Sequence, residues 1–261
     1  MTRIVPFRRW RRPAVAARLT VLMAALAVAA PGAQEGTRVD PLARLRAGNA
    51  RFVADPSEAL PMTPSSRAAL VTGQSPFAAI LSCADSRVPP EAIFHAGLGD
   101  LFVVRAAGHV PDRSVLASLE HGAEHLQVPL LVVMGHEMCG TVKAAVDTPA
   151  TASHGPNLDF LLAAIRPAIA RAPAGPADLR LRAAILSNVE ETINTLLDQS
   201  AVLRRMADGG RLTIAGAYYQ LSTGRVHFSE PVQVPPVPTS SARPQGTTPS
   251  ASSARTPAAG R

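Results

Sequence analysis

The sequence has only two cysteines among its 261 residues, Cys83 and Cys139. So small a number excludes a fold held together by several disulfides. Both cysteines lie in short runs with other metal-binding side chains, Cys83-Ala84-Asp85-Ser86-Arg87 and His136-Glu137-Met138-Cys139. A buried cysteine more often simply packs, but two thiolates, an imidazole and a carboxylate at this spacing suit zinc and few other common metals. The two runs therefore predict a zinc site.

Acidic residues are absent from the beginning of the chain. Residues 1–33 contain six arginines, no Asp or Glu, and an apolar run at 19–30 that is followed by small residues. The run is too short to span a bilayer, so we interpret residues 1–33 as an export signal; an uncleaved anchoring helix is the alternative. Because Arg8-Arg9 and Arg11-Arg12 also permit the twin-arginine route, we expect a periplasmic protein exported by that route or by Sec. No stable membrane span is expected after signal removal.

Acidic residues are also absent from residues 231–261, which are rich in Pro, Ser, Thr and Ala. Such a segment buries too little apolar surface to offset its ordering entropy, and we predict a disordered tail. The two ends carry nine of the 26 Lys and Arg, which leaves 17 against 19 acidic residues in between. The basic pI of about 10.8 is therefore no evidence for nucleic-acid binding, and no nucleic-acid partner is expected.

Between these ends, residues 34–230 are predicted to form one α/β domain. Four apolar runs without alternation, at 77–82, 101–104, 130–134 and 212–216, indicate strands covered on both faces, which is typical of parallel sheets joined by helices. Helices are predicted at 41–52, 114–126, 157–172 and 177–207, the second of them with Ser114 as its cap. We therefore expect a central, mostly parallel β-sheet of four to five strands flanked by helices.

The predicted strands bring the metal-binding residues together. Cys83 follows the first strand and Gly135-His136 follows the third, and ligands of parallel α/β sheets gather at the carboxyl ends of strands. With Cys139 they make three ligands, which leaves a tetrahedral ion one open position, as in catalytic zinc sites. Asp85 could be a fourth ligand that closes the site. Arg87 could instead hold that carboxylate bidentately, because alternate residues of an extended segment point the same way.

An open zinc site has a definite chemistry. The ion lowers the pKa of a bound water from about 15.7 towards about 7, which produces a hydroxide nucleophile. Two thiolates offset the charge of the metal, so we expect weaker acidification and better activity at alkaline pH. Asp85 would then accept a hydrogen bond or a proton from the water.

The runs Cys83-Ala84-Asp85-Ser86-Arg87-Val88-Pro89 and Gly135-His136-Glu137-Met138-Cys139-Gly140 resemble the two signature segments of the β-class carbonic anhydrases. The resemblance extends over most of residues 40–228. It implies the β-carbonic anhydrase fold, one Zn²⁺ per subunit, and reversible hydration of carbon dioxide to bicarbonate and a proton by zinc-bound hydroxide. Cys83, His136 and Cys139 match the zinc ligands of the family. Asp85 and Arg87 match its catalytic dyad, and some members have an inactive, closed state in which the aspartate binds zinc.

The same resemblance implies a substrate pocket and an assembly. Gln74, Phe102 and Gly140 match pocket residues, whereas Ala107 and His121 stand where plant-type members usually have Val and Tyr. This pocket is expected to be roomier and more polar, and His121 either shuttles protons or packs against a partner. The family works as a homodimer or a higher even oligomer, with pockets at the subunit interface.

One further departure lies in the segment Arg105-Ala106-Ala107-Gly108-His109, which in the family is commonly Arg-Asn-Val/Ala-Gly-Asn. His109 is expected to be an ordinary packing or surface residue, like the histidines at 95, 125, 154 and 227.

Two other functions stay open from the sequence. The same hydroxide could attack carbonyl sulfide or carbon disulfide, an alternative motivated by the changes at Ala107 and His121. A non-catalytic zinc- or bicarbonate-binding protein would keep Asp85 permanently on the metal. Arg87 and Gln74 argue against this last alternative, because a closed site needs neither.

Overall fold

The computed structural model describes residues 39–232. The predicted export signal at 1–33 and residues 233–261 of the predicted tail lie outside the described residues. No helix of residues 39–232 combines the length and the apolar composition needed to cross a membrane.

A five-stranded sheet forms the centre of the fold. The strands are β1 Ala78–Ser82, β2 Leu101–Arg105, β3 Leu130–His136, β4 Thr213–Gln220 and β5 Arg225–Phe228. Their order is β2-β1-β3-β4-β5; the first four are parallel and β5 is antiparallel to β4. The predicted α/β class and mostly parallel sheet are confirmed, and each apolar run forms a strand. No run predicted β5, because its four residues are partly exposed and depend on pairing with β4.

Successive side chains of β1 and β3 enter two different cores. Ile80 packs into a cluster with Ile165, whereas the next residue, Leu81, packs into a second cluster with Leu196. All four side chains are fully or almost fully buried. Burial of each contributes about 1.5–3 kcal/mol relative to exposure. Two covered faces are the physical reason why the strand sequences lack alternation.

Helices cover both faces and connect the parallel strands. They are α1 Pro41–Ala54, α2 Pro64–Ala69, α3 Pro90–Ile93, α4 Arg113–Glu120, α5 Gly140–Asp147, α6 Pro156–Arg171, α7 Ala177–Gln199 and α8 Ala201–Asp208. The predicted helices at 41–52 and 157–172 correspond to α1 and α6. The sequence does not predict the short helices α2, α3 and α5, because four to eight residues give too few turns for a periodic pattern.

The prediction of a single helix at 177–207 is wrong, because the helix is interrupted at Ser200 and continues as a second helix. The Ser200 hydroxyl accepts a hydrogen bond from the backbone N–H of Leu203 (3.1 Å) and donates to Glu120 (2.6 Å). The first bond caps α8 and ends α7 at Gln199. A serine within a helical pattern could therefore have been recognised as a cap.

The cap predicted at Ser114 is also wrong. The Asp112 carboxylate accepts from the backbone N–H of Val115 at 2.8 Å, so α4 begins at Arg113. A carboxylate is a strong acceptor that also interacts favourably with the helix dipole. The helix ends at Glu120 and a single π-helical turn, His121–His125, follows it.

Strand β3 extends two residues beyond its prediction. His136 is its last residue, paired in register with Tyr219, and does not follow the strand as expected. Helix α7 lies close to this end of β3, since a Cβ at Gly135 would meet Val189 at 2.8 Å and Ile185 at 2.9 Å. Glycine at 135 therefore allows α7 to approach the end of the strand that carries His136.

Candidate active site

Three ligand-type side chains converge at the carboxyl end of the sheet. Cys83 follows β1, His136 ends β3, and Cys139 directly precedes α5. Their exposures are 3%, 1% and 2%, and their ligand atoms all lie within 4.8 Å of one another. The cysteines are free thiols whose sulfurs are 4.0 Å apart. The tertiary structure thus assembles the three residues that the two sequence runs predicted together.

The ring of His136 is oriented by its neighbour in the chain. Its Nδ1–H donates to the backbone carbonyl of Glu137 at 2.9 Å, so Nε2 is left as the ligand atom. Glu137 is itself held by the β4–β5 hairpin: its N–H donates to the Tyr219 carbonyl and its carboxylate accepts from the Ser222 N–H, both at 2.8 Å. Such an outer hydrogen bond fixes the tautomer and direction of a metal-binding imidazole.

The donor set fits a zinc ion. Nε2 of His136 is buried and has no hydrogen-bond partner among the described residues, although buried polar atoms normally have one. Two sulfurs bound to one tetrahedral zinc at about 2.3 Å would be ~3.8 Å apart, close to the 4.0 Å between Cys83 and Cys139. Two soft sulfurs and an imidazole nitrogen are preferred zinc ligands, so these residues could hold that metal.

Backbone N–H groups point at the sulfur of Cys83. Those of Asp85 and Gly108 both lie 3.4 Å from it. The hydrogen bond from Cys139 and these contacts, opposed by burial, hold the pKa of Cys83 below its usual range. The shared hydrogen bond and burial raise the pKa of Cys139. One of the two sulfurs is thus already favoured as the thiolate that a metal needs.

Asp85 is held beside the three ligands by Arg87. The guanidinium donates from Nε to Oδ1 (2.9 Å) and from Nη2 to Oδ2 (2.7 Å), and the Arg87 backbone N–H donates to Oδ1 (3.0 Å). Arg87 also donates to the carbonyl of Met138 (3.2 Å). These bonds hold the pKa of Asp85 well below its usual range. Oδ2 remains 3.9 Å from His136 Nε2, so the carboxylate borders the ligand group without belonging to it.

The chain is similar to a known family of enzymes. The sequence model of the family described as carbonic anhydrase matches residues 78–226, more than half of the chain. The chain belongs to the carbonic anhydrases. Carbonic anhydrase 2 of Mycobacterium tuberculosis is 41% identical to it over 189 residues, which cover 69% of this chain and 87% of that protein.

Solved structures agree with the family. The β-carbonic anhydrase CafA of Aspergillus fumigatus matches with a TM-score of 0.57 and 26% identity, covering 72% of this chain and 88% of that one. A tetrameric β-carbonic anhydrase of Sordaria macrospora matches with a TM-score of 0.57, 24% identity, and coverage of 64% and 87%. The resemblance to the β class is confirmed, and the protein is a carbonic anhydrase enzyme.

The predicted pocket residues of this carbonic anhydrase divide into two groups. Ala107 lies in the turn after β2, beside Cys83, and Gly140 is the exposed first residue of α5, next to Cys139. Gln74 precedes β1 and is exposed, at the opposite end of that strand from Cys83.

Phe102 and His121 belong with Gln74 to the second group of pocket residues, those that lie away from Cys83. Phe102 is on the edge strand β2, paired with Ala79 near the beginning of β1. The ring of His121 lies against it, with centroids 6.3 Å apart. Within one subunit these two residues therefore lie along the sheet edge, away from the carboxyl end of β1.

Arg105 has a role that the sequence interpretation missed. From the end of β2 it donates to the backbone carbonyl of Cys83 at 3.0 Å and to that of Asp85 at 2.6 Å. The loop that carries Cys83 and Asp85 is therefore tied to the neighbouring strand. Its match to the first residue of the family segment Arg-Asn-Val/Ala-Gly-Asn was a signal, but the partners are backbone atoms that no sequence pattern identifies.

Of the two alternatives expected for His109, a packing or a surface residue, the structure shows a packing residue deep inside the enzyme. It is 1% exposed, and its ring contacts Thr192 and Asn188 of α7. Burial lowers the pKa of His109 to about 4, so the ring is neutral at physiological pH. Its position at a family asparagine was the only signal in the sequence.

Proposed function

We propose that this carbonic anhydrase is a zinc enzyme that reversibly hydrates carbon dioxide to bicarbonate and a proton. One observation carries the proposal: Cys83, His136 and Cys139 bring three buried ligand atoms together, while Arg87 holds Asp85 outside that group. Three protein ligands leave one position of a tetrahedral ion for water or substrate, as in catalytic sites. Bound zinc supplies a Lewis acid that makes a water acidic enough to react near neutral pH.

The protein residues contribute orientation and proton handling. Asp85 stays ionised because of Arg87, so its carboxylate is an acceptor that can orient a reacting water by a hydrogen bond. A carboxylate with so low a pKa is a weak base, which makes orientation its main role. Ala107 and Gly140 adjoin the ligands and would border bound carbon dioxide.

We also propose that the working unit is a homodimer or a higher even oligomer. Strand β1 has five residues, so at about 3.3 Å per residue its ends are ~13 Å apart. Gln74 and Phe102 lie towards the beginning of the strand and Cys83 lies after its end. A second copy could bring its own Gln74, Phe102 and His121 to this site. The related Sordaria macrospora enzyme is described as tetrameric, which supports an assembly of this kind.

Export to the periplasm is a proposal that rests on residues 1–33 alone. Periplasmic fractionation of cells that produce the full chain, with N-terminal sequencing of the mature protein, tests it. Retention of Met1 in a cytoplasmic product would contradict it.

A stopped-flow assay of carbon dioxide hydration tests the proposed reaction. The zinc-loaded protein is compared with its chelator-treated form and, in parallel assays, with carbonyl sulfide and carbon disulfide as substrates. We expect zinc-dependent hydration of carbon dioxide with the highest rate. Faster hydrolysis of either sulfur compound would replace carbon dioxide as the substrate, and zinc binding without any turnover would indicate a binding protein.

A further inference from the structure

Three buried polar side chains lie between the turn Ala107–His109 and helix α7. His109, Asn188 and Thr192 are 1%, 2% and 3% exposed. Asn188 Nδ2 donates to the backbone carbonyl of Gly108 at 3.0 Å and lies 3.4 Å from His109 Nε2, and His109 Nδ1 is 3.1 Å from the Thr192 hydroxyl. A buried polar network of this kind is stable only when its members satisfy one another.

The hydrogen bonds define one tautomer of His109. Because the Asn188 amide nitrogen can only donate, His109 Nε2 must accept, and Nδ1–H then donates to Thr192. A neutral ring satisfies both contacts. The imidazole thus links the turn to α7 through two directed hydrogen bonds.

The network holds an unfavourable backbone conformation. Gly108 has φ 62° and His109 has φ 47°, and a residue with a side chain pays roughly 1–2 kcal/mol for the left-handed region. Such conformations persist only where their surroundings over-determine them, and they cluster at functional sites. Here the carbonyl of Gly108 and the ring of His109 are both fixed by Asn188.

The turn held in this way points an amide at a ligand sulfur. The Gly108 N–H donates to Cys83 Sγ at 3.4 Å. We propose that His109, Asn188 and Thr192 are positioning residues that aim this amide at the Cys83 thiolate and so tune the metal centre. The inference rests on the metal site of the proposed function and extends it to residues that touch neither metal nor substrate.

The physical effect acts through the sulfur. An N–H donor withdraws electron density from a thiolate, so less charge reaches the metal and the metal remains a stronger Lewis acid. This partly offsets the neutralising effect of two thiolate ligands. The same N–H stabilises the negative charge of the thiolate form that the metal requires. Its loss is therefore expected to weaken metal affinity, by about 10- to 100-fold as for other outer hydrogen bonds.

The test uses cobalt(II) in place of zinc, because thiolate-to-cobalt charge transfer gives an absorption band that reports on the sulfur. The main variant is Asn188→Leu, which removes both donor contacts at similar volume. The matched control is Asn49→Leu: Asn49 is also buried and donates to two backbone carbonyls, those of Ile93 and Gly224, neither of which belongs to the residues that contact the Cys83 sulfur. Cobalt affinity is measured against a competing chelator and stability by thermal unfolding.

Both variants are expected to unfold at lower temperature. Only Asn188→Leu should shift the charge-transfer band and weaken cobalt binding, by about 10- to 100-fold. His109→Asn keeps a polar side chain that tolerates positive φ and should stay within about 3-fold of the unchanged protein, whereas His109→Leu should follow Asn188→Leu.

Equal spectra and affinities for Asn188→Leu and Asn49→Leu would overturn the inference, because the network would then be only structural. If Asn188→Leu does not fold, Thr192→Val replaces it, with an expected loss of roughly 2- to 10-fold; an unchanged band in folded Thr192→Val would equally overturn it. Absence of a thiolate-to-cobalt band in the unchanged protein would instead refute the metal site itself. That outcome separates failure of the proposed function from failure of this inference.

Discussion

Arg87 and Asp85 form a bidentate pair in which two guanidinium nitrogens each bind one carboxylate oxygen, at 2.9 and 2.7 Å. The pair lies at the border of the ligand group, with Asp85 Oδ2 3.9 Å from His136 Nε2. This proximity makes Asp85 the carboxylate best placed to become a fourth ligand if it turned towards the three ligand atoms. The hydrogen bonds from Arg87 are what oppose that movement.

Replacing Arg87 should close the site. In Arg87→Ala the released carboxylate can become the fourth ligand, and we expect carbon dioxide hydration to fall by about 10- to 100-fold, the range typical of lost outer-sphere contacts. Arg87→Lys keeps the positive charge but cannot make the bidentate pair, so its activity should lie between that of the unchanged protein and that of Arg87→Ala. X-ray absorption of the zinc-loaded variants measures the ligands directly. An Arg87→Ala enzyme with full activity and only three protein ligands would contradict this prediction.

Removing one sulfur should remove the metal. Cys139→Ser replaces a soft ligand by a weakly binding hydroxyl, and we expect bound zinc, measured by atomic absorption after dialysis, to fall below about a tenth of its value in the unchanged protein. Activity should fall with it. Ser82→Ala is the control, since Ser82 is buried next to Cys83 and is not a predicted ligand; it should retain the metal. Activity that survives in metal-free Cys139→Ser would argue against a zinc mechanism.

A side chain at Gly108 should be poorly tolerated. A Cβ there would lie 2.8 Å from Ile165 Cδ1 and 3.3 Å from Thr141 Cγ2, at a φ of 62°. We expect Gly108→Ala to lower the free energy of unfolding by about 2–4 kcal/mol, measured by guanidinium denaturation. At Gly140 a Cβ would meet nothing within 4 Å, so Gly140→Ala should change stability by less than about 1 kcal/mol. Equal effects of both variants would show that the turn is not tightly packed.

Burial of neutral His109 should make the fold sensitive to acid. The pKa of His109 is lowered from 6.5 to about 4, so between these values the unfolded chain binds more protons than the folded one. Its contribution to stability is therefore complete above about pH 6.5 and is lost as the pH falls towards 4, by up to about 3 kcal/mol. Guanidinium unfolding of the metal-free protein at pH 7.5 and 5 measures the loss. His109→Asn should lose less stability over this interval, and an identical loss would assign the acid sensitivity to other groups.

Mixed oligomers should test whether pockets are shared. Gln74→Ala keeps the metal ligands but lacks the pocket glutamine, and Cys139→Ser has the opposite defect. If Gln74 acts on the site of a second copy, an equal mixture of the two proteins after subunit exchange contains heterodimers with one intact site. About a quarter of the activity of the unchanged protein should then return, because half of the dimers are mixed and each has one of two sites intact. Activity that does not exceed the average of the two single variants would indicate pockets formed within one subunit.

Much of this site could be predicted from local sequence. Cys83, Asp85 and Arg87 are close in the chain, as are His136 and Cys139, and their side-chain chemistry predicts a metal site without any coordinates. The strands were predictable because burial on both faces leaves continuous apolar runs such as residues 130–134. These features depend on residue type and short spacing, which the chain displays directly.

Other features depended on contacts between distant segments. The helix predicted over 177–207 is interrupted at Ser200. The hydroxyl of this residue caps α8 and also donates a hydrogen bond to Glu120, 80 positions earlier. Arg105 binds backbone carbonyls, which every residue has and which therefore leave no pattern. The sequence did not reveal the contacts of His109, because its hydrogen-bond partners, Asn188 and Thr192, lie about 80 residues away in the chain.

The sequence by itself determined the α/β class, the family and the identity of the residues that could hold a metal. Only the tertiary structure decided where Asp85 lies relative to the ligands, and which groups orient His136 and the amide of Gly108. The physical reason is that ligand chemistry belongs to single side chains, whereas an open or closed site depends on the hydrogen-bond distances between particular atoms. Those distances exist only after β1, β2, β3 and α7 have packed together.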